Sequence, residues 1–145
     1  MKENPVELKI RQDMRESFLA DDTRPIAEII ETDLAELHAA GLTQQQLAEA
    51  MRALTLKGLE NQGFETPVDG YTVLVEEYMG RFGCPFKHGA REAKRNTTVK
   101  NAEGKTMLWT DMSIHLIEAH GFFQGLGSPY RLEPLELAAF LGLLR

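Results

Sequence analysis

The feature that most constrains this chain is the segment from Cys84 to His120. It opens as Cys84-Pro85-Phe86-Lys87-His88-Gly89 and closes as His115-Leu116-Ile117-Glu118-Ala119-His120. The chain has one cysteine and four histidines; the cysteine and three of the histidines stand at the two ends of this segment. C-x3-H followed by H-x4-H supplies one thiolate and three imidazoles, the donor number and type that a tetrahedral Zn2+ takes. If one ion binds all of them, the two ends must meet, and folds that hold them apart are excluded. Cys84, His88, His115 and His120 are therefore the candidate metal ligands, and zinc is the candidate ion. Glu118, between the last two histidines, is an accessory carboxylate able to orient an imidazole or to serve as a base.

A length of 145 residues fits one domain, with residues 1–83 as one part and 84–145 as the other. At 43% hydrophobic and 26% charged, the composition is that of a globular protein with a real core. No apolar run approaches the roughly 20 residues of a membrane span. Met1-Lys2-Glu3-Asn4-Pro5 begins no apolar leader, and a single cysteine makes no internal disulfide. A soluble, cytoplasmic protein is expected, with no membrane partner. The net charge of −6 is unevenly spread. Residues 1–80 hold 7 basic and 16 acidic side chains, a balance of −9, whereas residues 81–105 hold 7 and 2, a balance of +5. The acidic part argues against a nucleic-acid partner. A solvated basic hairpin facing an acidic helical layer accounts for the split without an anionic ligand.

Local signals divide the chain into elements. Asn4-Pro5 with Glu7 starts a helix over about 5–20, with Val6, Ile10, Met14 and Phe18 on one face. Asp21 to Pro25 is a break. Ile26, Ile29, Ile30, Leu34 and Leu37 form the next stripe, closed by Gly41. His38 near that end is a solvent-facing or dipole-satisfying histidine. Thr43 and Gln46 make a capping box for a third helix, with Leu47, Met51, Leu54 and Leu59 inward. After Thr66-Pro67, the positions Val68, Tyr71, Val75, Tyr78, Met79 and Phe82 predict a fourth helix, although Tyr71 to Val75 also has strand propensity. Ala90 to Arg95 reads as a polar connector. Asn96 to Asn101 and Thr106 to Trp109, joined by a turn at Gly104, predict a β-hairpin. Thr110 or Asp111 caps a helix ending at Gly121. Phe122 to Tyr130 reads as a loop with exposed aromatics, and Glu133-Pro134 opens a last helix over 135–144. The expected fold is thus α+β and mostly helical: a layer of about four helices, then a β-hairpin, then two helices.

A knuckle, a hairpin and a helix carrying two histidines resemble zinc-binding modules of the ββα and treble-clef kind, over residues 84–120. That resemblance implies that Cys84 and His88 from the knuckle and His115 and His120 from the helix hold the ion. On an ideal helix, five residues leave His115 and His120 about 140° apart, so the last turn must loosen to bring them together. Gly41-Leu42-Thr43-Gln44-Gln45-Gln46-Leu47 with Glu60-Asn61 resembles a helix-turn-helix repressor motif, which implies DNA binding through residues 43–61. The expected function is an interaction or regulatory module with a structural zinc site. The first alternative is an enzyme, using Cys84 with His115 or His120 as base or a three-ligand metal with Glu118 as base. The second is the helix-turn-helix reading. A protein partner is expected, and an apolar helical layer of this size has room for a surface between two copies of the chain.

Overall fold

The computed structural model describes residues 18–86 and 89–144. Among them are four helices and one four-stranded antiparallel sheet, in the order helices, strands, helices. Helix accounts for 39% and strand for 25% of these residues, so the chain is not a mostly helical layer followed by a hairpin. The helix expected over 5–20 falls largely outside the described residues.

Helix α1 (Ile26–Ala39) buries Ile26, Ile29, Asp33 and Leu37 along one side. It ends as its glycine predicts. Gly41 takes φ +79°, its N–H donates to His38 O at 2.9 Å, and Leu42 N–H donates to Leu37 O at 3.2 Å. This left-handed closure satisfies two of the helix's last carbonyls. Helix α2 (Gln44–Leu59) begins at the expected capping box. Thr43 N–H donates to Gln46 Oε1 at 2.8 Å, and Gln46 N–H returns to Thr43 Oγ1 at 3.3 Å.

The strands β1 (Thr66–Val68), β2 (Tyr71–Gly83), β3 (Arg91–Lys100) and β4 (Thr106–Thr110) form a meander in sequence order. The fourth helix expected after Thr66 is instead the β1–β2 hairpin. Its turn is Asp69-Gly70, with φ +47° and +87°, between the paired residues Val68 and Tyr71. Two successive positive φ values match the twist of the flanking strands, which is why Asp-Gly is a strong hairpin signal. Val73 and Val75 then alternate inward. The segment read as a polar connector, Ala90 to Arg95, forms most of the first half of β3. After Tyr78↔Lys94 the next pair is Arg81↔Ala93, so Met79 and Gly80 are extra on β2. Gly80 takes φ +93° and Met79 is 95% exposed, which marks a bulge. Beyond it the β2–β3 ribbon continues to Gly83↔Arg91, and Cys84 N–H donates to Ala90 O at 2.9 Å. The hairpin expected from the second half of this region is the β3–β4 pair, Asn96↔Thr110 to Lys100↔Thr106.

Helix α2 lies against the sheet where it has no side chain. A Cβ on Gly58 would stand 2.5 Å from Val73 Cγ1 and 2.7 Å from Val75 Cγ2. Behind this contact Trp109 is fully buried, and its indole N–H donates to Thr55 Oγ1 at 3.0 Å. Thr55 Oγ1 in turn shares a 2.8 Å hydrogen bond with Thr97 Oγ1. Buried polar atoms need such partners, and here they fix the register of α2 on the sheet.

Helix α3 (Asp111–His120) opens with a Thr110/Ser113 capping box, and α4 (Pro134–Phe140) closes the described chain. The connection between them departs from expectation. Phe122 and Phe123 are buried, not exposed. Gly125 N–H donates to Phe18 O at 2.7 Å, and a Cβ on Gly125 would lie 2.5 Å from Leu19 O. The loop is thus pressed onto the stretch that precedes α1. Phe122 joins Phe18, Leu19, Ile29, Met112, Leu116 and Cys84 in a second, smaller apolar cluster.

Candidate metal centre

Cys84 reaches this cluster from the end of the β2–β3 ribbon. Its backbone N–H is tied across the ribbon to Ala90, and its side chain is buried. His115 and His120 arrive from the last turns of α3. Donor atoms of Cys84, His115 and His120 all lie within 4.8 Å of one another. Cys84 Sγ is 3.4 Å from His120 Nε2. Zn–S and Zn–N bonds of about 2.3 and 2.0 Å at a tetrahedral angle put sulfur and nitrogen about 3.5 Å apart. The two groups make a thiol–imidazole hydrogen bond at this spacing, which is also the length of an edge of that tetrahedron. Three of the candidate ligands therefore meet; His88 lies outside the described residues.

A left-handed glycine closes the end of α3. Gly121 takes φ +64°, and its N–H donates to Ile117 O at 3.0 Å. Phe122 N–H donates to Leu116 O, at 3.0 Å. The Gly121 bond is an ordinary helical bond spanning four residues, and the Phe122 bond, spanning six, folds the chain back around the left-handed glycine. His115 and His120 both lie within the α-helix, so the last turn does not loosen as expected. Their rings stand edge to face with centroids 5.4 Å apart. Leu34 of α1 sits against Gly121, where a Cβ would meet Leu34 Cδ1 at 2.7 Å. This close approach and the positive φ both require glycine there.

Neighbouring groups orient the rings. Phe86 stacks on His120 with centroids 4.2 Å and planes 18° apart, and meets Phe122 edge-on at 5.6 Å. His115 Nδ1 is 3.5 Å from Glu92 Oε1 on β3. Glu118 faces α2, where Arg52 donates to its two oxygens at 2.7 and 3.1 Å. These hydrogen bonds hold the Glu118 carboxyl below the usual carboxylate range against the opposing effect of burial. Behind His115 lies a cavity of about 150 Å³ whose charged lining includes Arg52, Glu92, Arg95, Asp111 and Glu118. Burial pushes the Asp111 carboxyl up despite Arg95 Nη1 at 3.5 Å. Its Oδ1 is buried with no hydrogen-bond partner among the described residues.

Residues 44–59 form one uninterrupted helix, and Arg52 within it is bound to Glu118. A turn and second helix are therefore absent from the stretch that resembles a repressor motif. His38 stands in the last turn of α1, as expected. Glu92, Phe86 and Arg52 have no sequence signal for their places beside the histidines. Glu92 is brought there by the β2–β3 register and Arg52 by the packing of α2 on α3.

No protein-family model matches the chain, and neither a curated protein nor a solved structure matches it. Fold and site together define a small α+β protein in which a Cys-His-His group close enough to hold a metal ion joins a hairpin end to a helix end. Among the described residues, no helix is long and apolar enough to cross a membrane.

Proposed function

We propose that the chain is a zinc-binding protein whose centre is structural, and that it works as a non-enzymatic interaction or regulatory module. The observation that carries this is the convergence of one thiol and two imidazoles within 4.8 Å. Cys84, His115 and His120 are three ligands, and His88, in C-x3-H spacing with Cys84, is the fourth on sequence grounds. A thiolate with imidazoles suits zinc. Two further features favour a structural role over a catalytic one. Cys84 is only 5% exposed, unlike a thiol that attacks substrates. Glu118, the available base, is committed to Arg52. The ion would fasten the end of the β2–β3 ribbon to the end of α3, across the smaller apolar cluster.

The competing reading is an enzyme with a three-ligand metal, and the cavity behind His115 is what favours it. Zinc stoichiometry and thiol titration separate the readings. The structural reading expects one tightly held zinc per chain in untagged protein. Cys84→Ala should lose it and melt at a lower temperature, and His88→Ala should weaken it. Zinc binding that His88→Ala leaves unchanged would instead support the three-ligand metal enzyme, and an exposed thiolate of low pKa in metal-free protein would support an enzyme using Cys84 as nucleophile.

A further inference from the structure

Resting on the metal reading of Cys84, His115 and His120, we propose that Glu92 is the positioning residue of the centre: it holds His115 so that Nε2 faces the thiol and the second imidazole. The ribbon geometry places it for this role. Cys84 follows Phe82 by two residues, and Phe82 is the cross-strand partner of Glu92. Residues two apart on a strand, and partners directly across a ladder, share one face. With the ladder continued by the Cys84 N–H to Ala90 O bond, Cys84 and Glu92 project from the same face of the ribbon, one from each strand. His115 comes down from α3 onto that face. Its Nδ1 is 3.5 Å from Glu92 Oε1, an ion-pair distance that zinc-bound Nε2 would leave Nδ1–H free to close, and one of its ring nitrogens lies within 4.8 Å of donor atoms of Cys84 and His120.

The two nitrogens of an imidazole point away from each other. A ring whose Nδ1–H is directed at a carboxylate presents the Nε2 lone pair on its other side, in the tautomer a metal needs. Glu92 is outside the donor group itself, so it acts on the ion through His115. Removing such an outer partner typically weakens metal binding about 10–100-fold. His120 has a different restraint, the stacked Phe86 ring, so each imidazole is fixed by its own neighbour.

The test uses the full chain loaded with zinc alone, measured by chelator competition, and with cobalt(II) as a spectroscopic probe. Glu92→Gln is expected to bind zinc about 10–100-fold more weakly than wild type and to shift the cobalt d–d bands. Glu77→Gln makes the same change in charge on the same ribbon, where Glu77 pairs with Arg95 at 2.9 Å. It is expected to leave both readouts unchanged. Unfolding of the metal-free variants controls for loss of fold; Glu92 is part-exposed on a ribbon edge, so little change is expected there. Unchanged affinity in Glu92→Gln, or equal weakening by both variants, would overturn the positioning role. Wild-type protein that takes up no zinc would end the reading of the centre, and this role with it.

Discussion

Asp22 has a side chain only 2% exposed, beside Arg24. Arg24 Nη2 donates to it at 2.7 Å, Arg24 N–H at 3.1 Å, and Leu126 N–H at 3.0 Å from across the fold. Burial alone would raise this carboxyl, but the Arg24 and Leu126 hydrogen bonds and the Arg24 charge together bring it down to about 2 from an ordinary 3.8. A carboxyl depressed in the folded state adds stability above its ordinary pKa and loses it as pH falls through the folded value. The contribution is about 2 kcal/mol. Urea unfolding of wild type against Asp22→Asn should show a gap that is full above pH 5 and shrinks from pH 4 to pH 2. A gap that does not change with pH would contradict this account of Asp22. At the same scale, Asp33 and Arg131 form a buried pair, with Arg131 Nη1 and Nη2 each 2.9 Å from the carboxylate. Arg131 thereby ties the connection before α4 to α1.

At the scale of elements, the sequence was most legible where local chemistry decides. The boxes Thr43/Gln46 and Thr110/Ser113, the Gly41 closure and the hairpin turning near Gly104 each depend on a few neighbouring residues. The largest misreading arose where two periodicities overlapped. Val68, Tyr71, Val75, Tyr78 and Phe82 fit a helical face, but Asp69-Gly70 forces a reversal that no helix survives. The valines on either side then pair as strands. Gly58 shows the same dependence on tertiary contact. In sequence it merely weakens the last turn of α2; in the fold it is the gap into which Val73 and Val75 fit. Gly58→Ala should gain about 1 kcal/mol of helix propensity and lose about 1–3 kcal/mol to overpacking against stiff β-branched side chains. A net loss is predicted, read as a lower urea midpoint. An unchanged or raised midpoint would mean that α2 can slide on the sheet.

Across the whole molecule, the candidate centre draws on two distant parts of the chain that the topology brings together. The clustering of rare residue types could be read from the sequence, because Cys84 and three histidines bracket one segment. Their meeting could only be posed as a condition. For Cys84, His115 and His120 it is met because the β2–β3 ribbon is long enough to carry Cys84 past the main sheet and because α3 packs against β3. The groups that orient the rings, Glu92 and Phe86, belong to register and packing, which carry no local signal. The central claim is that this meeting point is a zinc ligand set. X-ray absorption at the zinc edge on protein purified without a histidine tag tests it most directly. The account predicts one sulfur at about 2.3 Å with nitrogen neighbours near 2.0 Å, and no zinc-edge signal from Cys84→Ala, which no longer holds the ion. A shell of nitrogen and oxygen alone, or protein that carries no zinc, would contradict it.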